Sequence, residues 1–286
     1  MRNKSRILFS LVAFYGLLLV SVPDSRGDSI GFFYALDADL QGLKTVARES
    51  GQSITVGTRI IQRLQMGSHV VYAVKMGSGA VETAISAQAL LGRFRCDWAF
   101  SLGPAGALSP EIETGRCYRV SRMLAWQKIG ANDGETGAAS LPAWSIDWND
   151  FPVAMPSSWL SSSSEVVVAS GEQFISTCRE RERLQAATQA DVVDMNSYGL
   201  AAACADHGVP LYAWKAISDR ADENAGESFR NFVSSYSGQG GQALAGIIQS
   251  LPANPNDPAS YPAIRRLLEK ATSTPIGAKP PQLTNP

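Results

Sequence analysis

Carboxylates at the ends of apolar runs are the residues of this sequence best placed for chemistry. Asp219 closes the run Val209-Pro210-Leu211-Tyr212-Ala213-Trp214-Lys215-Ala216-Ile217-Ser218-Asp219, which reads as a buried strand. Ligands of an open α/β sheet bind beyond the carboxyl ends of its strands, so this carboxylate faces a crevice, where it can hold or pass a proton. The polar stretch 220–226 is suited to a loop over that crevice. The plain alternative is that Asp219 caps the next helix. Asp37 and Asp39 stand in the same relation to the run 29–36, where they can cap a helix, complement its dipole or point into a site.

Two glycine-rich stretches share this geography. Met76-Gly77-Ser78-Gly79-Ala80 leads from one predicted strand into a helix, and Gly103-Pro104-Ala105-Gly106-Ala107-Leu108 reads as a turn ending another. Such turns bring backbone N–H groups close to a ligand, often an anion, although neither matches a phosphate loop or a dinucleotide fingerprint. The only histidines, His69 and His207, are far apart, which gives little support to a histidine metal site or a Ser-His-Asp triad. Cys96, Cys117, Cys178 and Cys204 have no metal-site spacing. They allow up to two disulfides in three pairings, or serve equally well as buried thiols.

The elements that must position these groups alternate. Strands are expected at 29–36, 98–102, 115–125, 166–170, 190–195 and 209–219, with a hairpin formed by 59–64 and 69–74 around Met66-Gly67-Ser68. Helices are expected from Asp37 to about 49, then near 81–93, 176–187, 196–207, 227–237, 242–251 and 261–272. The stretch 130–164 has no periodicity, and it reads as a surface excursion anchored by Trp144, Trp148 and Trp159. Alternation of this kind implies an α/β sheet with helices on both faces.

The 286 residues suffice for one large domain, and 45% hydrophobic with 18% charged residues is ordinary for a globular protein. No basic block points to nucleic acid. The first 27 residues differ: Arg2, Lys4 and Arg6 precede an apolar run from Ile7 to Val22, then Pro23 and Ser25-Arg26-Gly27. This is the pattern of a cleaved signal peptide, too short for a usual membrane span, so an exported, periplasmic or secreted protein is expected, with no membrane partner after cleavage. The mature chain would carry 21 Lys+Arg and 25 Asp+Glu. A domain over 28–274 and a disordered tail over 275–286 complete the expected organisation.

In order and spacing, five segments resemble the nucleoside phosphorylase and nucleosidase superfamily, most closely its methylthioadenosine/S-adenosylhomocysteine nucleosidases. They are Gly31…Ala35-Leu36…Asp39; Met76-Gly77-Ser78-Gly79 with Gly103-Pro104-Ala105-Gly106; Ala169-Ser170-Gly171-Glu172-Gln173-Phe174-Ile175; Asp194-Met195; and Ala216-Ile217-Ser218-Asp219-Arg220-Ala221-Asp222. The resemblance implies a three-layer α/β/α sandwich with a mixed, twisted central sheet. It implies cleavage of a purine–ribose bond in a small-molecule nucleoside, with no cofactor or metal, by a homodimer. Asp219 becomes the acid at the leaving purine, steered by Ser218, and Asp39 belongs near the water. Phe174 stacks on the base, the Ile175 backbone reads its edge, Met195 lies under the ribose, Asn196 meets its hydroxyls, and Phe229 closes the apolar side. Gly106 and Ser78, from the two glycine-rich stretches, complete the expected substrate-binding set.

The sequence departs from the family pattern at four of these places. Asp39 and Asn196 stand where the family has glutamates, Pro104 where it has serine or threonine, and Lys215 where it has arginine. Neutral Asn196 lacks the charge that strengthens bonds to sugar hydroxyls and stabilises a cationic sugar. Ser101 occupies the place of a phosphate-binding arginine, which favours water over phosphate as nucleophile. A hydrolase of adenosine-type nucleosides or thioethers is therefore expected. The alternatives are a weak or inactive extracytoplasmic purine-binding protein and, less favoured, a phosphorylase.

Overall fold

The computed structural model describes residues 28–47, 51–128, 140–142 and 160–250. The expected signal segment, most of the 130–164 excursion, the helix at 261–272 and the tail lie outside the described residues. So do any contacts between subunits.

Period-2 alternation in β1 (Ser29–Tyr34) sends successive side chains to opposite faces of the sheet. Ile30, Phe32 and Tyr34 join one core cluster, and Phe33 joins another. On the first face, α1 (Asp37–Lys44) and α6 (Gln239–Ser250) contribute Leu40, Leu43, Leu244, Ile247 and Ile248. On the second, α2 (Ala80–Leu91) and α4 (Ser197–Asp206) contribute Leu90, Leu91, Leu200 and Cys204. A sheet covered on both faces needs strands that are apolar throughout, and β10 (Leu211–Asp219) is buried at every position.

Beside β1 lie β4 (His69–Lys75) and β5 (Trp98–Ala107), both parallel to it. Antiparallel to β4 runs β3 (Arg59–Met66), the other arm of the expected hairpin, with β2 (Gln52–Val56) at the edge. On the other side, β10 pairs with β5 and with β6 (Cys117–Ala125). Then β6 pairs with β8 (Leu160–Ser170), β8 with β9 (Val192–Asp194), and β9 back with β5. The short β7 (Ser140–Pro142) pairs with β6. The mixed sheet is therefore the expected α/β layer, with one half curled until five strands close a ring. Two further α-helices are α3 (Cys178–Thr188), whose cap Thr177 accepts the Glu180 N–H and donates its hydroxyl to the Glu180 carboxylate, and α5 (Ala225–Ser235).

Two local expectations change, and the one left open for the cysteines is decided. Gly103-Pro104-Ala105-Gly106 is not a turn but the second half of β5, because Lys215 to Asp219 of β10 pair along it. Residues 140–142 and 160–164, placed in the irregular excursion, are strand. All four cysteines are free thiols, with Cys96, Cys117 and Cys204 buried as core residues.

Candidate functional site

The pairing that straightens Gly103 to Gly106 also builds the site. Along β10 the register against β5 slips between Ile217 and Asp219, a bulge at Ser218 that re-aims the side chains around it. Ser218 Oγ lies 2.7 Å from Asp219 Oδ2, and the Ala221 N–H donates to Oδ1 at 2.9 Å. Ala221 reaches that bond by adopting φ 50°, a left-handed conformation unfavourable for alanine but held here by complete burial of the residue. Gly106, opposite Asp219, is required for space, since a Cβ there would stand 2.7 Å from Asp219 Oδ1. Asp219 is 2% exposed. Burial pushes its pKa upward, opposed by the two hydrogen bonds and aided by the nearby Asp222 carboxylate.

Asp219 opens onto a cavity of about 350 Å³. Ser78, Gly106, Phe174, Met195, Asn196, Ser218 and Phe229 line it with Asp219, bringing together residues from β5, β10, α5 and the connecting loops. Phe174 and Phe229 meet edge to face, with centroids 6.0 Å apart, and form an aromatic wall beside the acid. A larger groove of about 650 Å³ opens at the opposite ends of β5 and β10, but its one carboxylate, Asp97, is exposed and accepts the Ser29 N–H. Buried carboxylates, Asp194 and Asp219, line only the smaller of these two openings.

Two expected site residues, Asp39 and Ile175, are not among those lining the cavity. Tyr236 donates its hydroxyl to Asp39 Oδ1 at 2.5 Å, and the Gly241 N–H also bonds the carboxylate, so its oxygens are engaged toward the α5–α6 connection. The Ile175 side chain turns into a separate apolar cluster with Leu108, Leu124 and Leu184, which does not bear on the role expected of its backbone.

Burial raises the Asp39 pKa to about 7 against the lowering effect of its two hydrogen bonds. An acid whose folded pKa is raised binds its proton more tightly in the native state, so its stabilising effect is full below pH 4 and disappears as pH rises through about 7. Asp39→Asn is therefore expected to flatten the fall in stability between pH 4 and 7. Parallel urea titrations of the two proteins across that range would show the difference, and identical pH profiles would contradict it.

The first glycine-rich stretch does form a strand-to-helix turn, but the helix end is already filled. Glu172 accepts the Val81 N–H at 3.1 Å, and a Cβ on Gly79, whose φ is 98°, would stand 2.0 Å from Glu172 Oε2. The protein's own carboxylate thus sits where an anion would be drawn, at the positive end of α2. Thr83, in the first turn of α2, and Gly77 are joined to the cavity by Asn196. Its Nδ2 donates to the Gly77 carbonyl and, at 2.8 Å, to Thr83 Oγ1.

Sequence reasoning missed a buried ion pair. Lys215 Nζ lies 2.6 Å from Asp194 Oδ2, at an angle poor for a hydrogen bond, and neither side chain is more than 1% exposed. Asp194 also accepts the Ser197 N–H and hydroxyl, and it lines the cavity. A lysine and an aspartate inside two otherwise apolar strand runs were the signal, because isolated buried charges are too costly to leave unpaired.

Compared with known families, residues 30–249 match the phosphorylase superfamily. The chain belongs to that superfamily. Among its phosphorylase-superfamily relatives is a 5'-methylthioadenosine/S-adenosylhomocysteine nucleosidase of Staphylococcus saprophyticus, 28% identical over 182 residues, covering 60% of this chain and 78% of the relative. A nucleosidase of the same description from Staphylococcus aureus is 26% identical over 187 residues, with the same coverage. Of solved structures, the Neisseria meningitidis 5'-methylthioadenosine/S-adenosylhomocysteine nucleosidase in complex with methylthio-immucillin-A superposes with a TM-score of 0.71 at 17% identity. A futalosine hydrolase mutant of Helicobacter pylori superposes at 0.68 and 18%. Each match covers 78% of this chain and 100% of the other. At these identities the superpositions establish a shared nucleoside phosphorylase-like fold.

Proposed function

We propose that this phosphorylase-superfamily protein is an exported N-ribosyl hydrolase that cleaves the glycosidic bond of adenosine-type nucleosides or thioethers, as its nucleosidase relatives' names suggest. The observation that carries the reading is a buried Asp219, its pKa pushed upward by burial, beside the aromatic wall of Phe174 and Phe229. A purine fits flat against that wall, and Asp219 passes its proton to the base as the bond to the sugar breaks, so the base leaves neutral. Ser218 fixes the carboxyl's orientation. Asp194, the cavity's other carboxylate, supplies negative field to the cationic sugar, softened by Lys215.

Water is the nucleophile in this reading. The N-terminus of α2 is taken by Glu172, and Pro104, on the cavity wall, has no N–H to offer an anion. Export follows from the signal pattern of residues 1–27. A weak or inactive purine-binding protein remains the second reading, favoured by the engagement of Asp39 with Tyr236.

Methylthioadenosine, S-adenosylhomocysteine and adenosine, each incubated with purified protein with and without phosphate, test these readings by release of free adenine. Release independent of phosphate is expected. Binding without release would establish the second reading, and release only with phosphate would establish a phosphorylase.

A further inference from the structure

We infer that the sugar side of the cavity recognises a single hydroxyl through a neutral acceptor, so that deoxyribosides are turned over nearly as well as ribosides. The inference rests on the hydrolase reading above, with the base against Phe174, and takes the sugar to lie toward Met195 and Asn196, which line the same cavity.

Asn196 carries two N–H donors and one carbonyl oxygen. Both donors are committed inside the protein, one to the Gly77 carbonyl and one to Thr83 Oγ1. Thr83 Oγ1 in turn lies 3.4 Å from the same Gly77 carbonyl, so the three groups close a small network. The amide cannot be turned over, because its oxygen would then face a carbonyl that only accepts. Asn196 is 9% exposed and lines the cavity, which leaves Oδ1 as what it presents to a ligand.

That oxygen can accept a hydroxyl proton but can donate nothing. It bears no charge, and it offers one atom where a carboxylate would offer one oxygen to each hydroxyl of a vicinal diol. Loss of the hydroxyl bound there therefore removes one neutral hydrogen bond from Asn196, a change of about tenfold or less. The class of ligand favoured is a purine nucleoside with at least one free hydroxyl at C2′ or C3′.

The experiment compares kcat/KM for adenine release from adenosine, 2′-deoxyadenosine and 3′-deoxyadenosine by the full-length protein. All three values are expected within about tenfold. Turnover of adenosine with either deoxy analogue poorer by more than that overturns the inference and leaves the hydrolase reading standing. Failure to release adenine from adenosine and methylthioadenosine alike overturns the hydrolase reading, and the inference with it. Asn196→Asp provides a readout free of activity. It is isosteric but cannot donate to Gly77 or Thr83 at neutral pH, so its melting temperature is expected to fall by several degrees. An unchanged melting temperature overturns the donor assignment on which the inference stands.

Discussion

Asp219→Asn is expected to slow base release by about a hundredfold to ten-thousandfold, the range associated with removing a positioned general acid. Asparagine keeps the shape of the side chain: its Oδ1 can still accept the Ala221 N–H, and its Nδ2 can donate to Ser218 Oγ while that hydroxyl donates to the Ala105 carbonyl, so the bulge and the left-handed turn at Ala221 should survive. Purine binding should survive with them, because the aromatic wall is untouched. Single-turnover release of adenine, set beside calorimetric binding of adenine, separates the two effects. Full activity in the variant would refute Asp219 as the proton donor. The parent enzyme should lose rate as rising pH strips the proton that burial holds on Asp219, and the variant's residual rate should lack that alkaline limb.

Lys215→Met carries the largest expected effect on stability. It leaves Asp194 charged and enclosed, compensated by the Ser197 N–H and hydroxyl. Breaking a buried ion pair from one side costs about 3–5 kcal/mol, most of it the penalty of the abandoned charge. The double change Lys215→Met with Asp194→Asn should restore most of that loss, since asparagine can still accept from Ser197 and carries no charge to strand. Urea unfolding of the parent, the single and the double variant measures both steps. A single variant within about 1 kcal/mol of the parent, or a double variant no better than the single, would refute the stranded-charge account of this pair.

Much of this organisation is written locally and is therefore legible. The apolar run from Leu211 to Ile217 has no interpretation but a strand buried on both faces, and the alternation of such runs with helical segments sets the α/β class. The hairpin of Arg59–Met66 with His69–Lys75 is local for the same reason: two short-range runs and a turn between them. Phe174, Met195, Asn196, Ser218, Asp219 and Phe229 each sit next to a strand end or within the helix that follows, and the structure brings all six to one cavity.

What the chain order could not supply was decided by contacts across it. Gly103-Pro104-Ala105-Gly106 carries every local sign of a turn, yet it is strand because β10 lies beside it and its pairing outweighs local preference. Asp39 has the residue type and the strand-end position of a site carboxylate, and Tyr236, 197 residues away in sequence, takes it. Glu172 fills the end of a helix that begins near residue 80, and Lys215 neutralises an aspartate on a different strand. Sequence by itself determined which stretches are buried and where polar groups leave them, because hydrophobic period and backbone preference act over a few residues. Only the tertiary structure determined which polar groups face the cavity and which are consumed by one another. Each buried polar atom must find a partner, and the partner in space is rarely the neighbour in sequence.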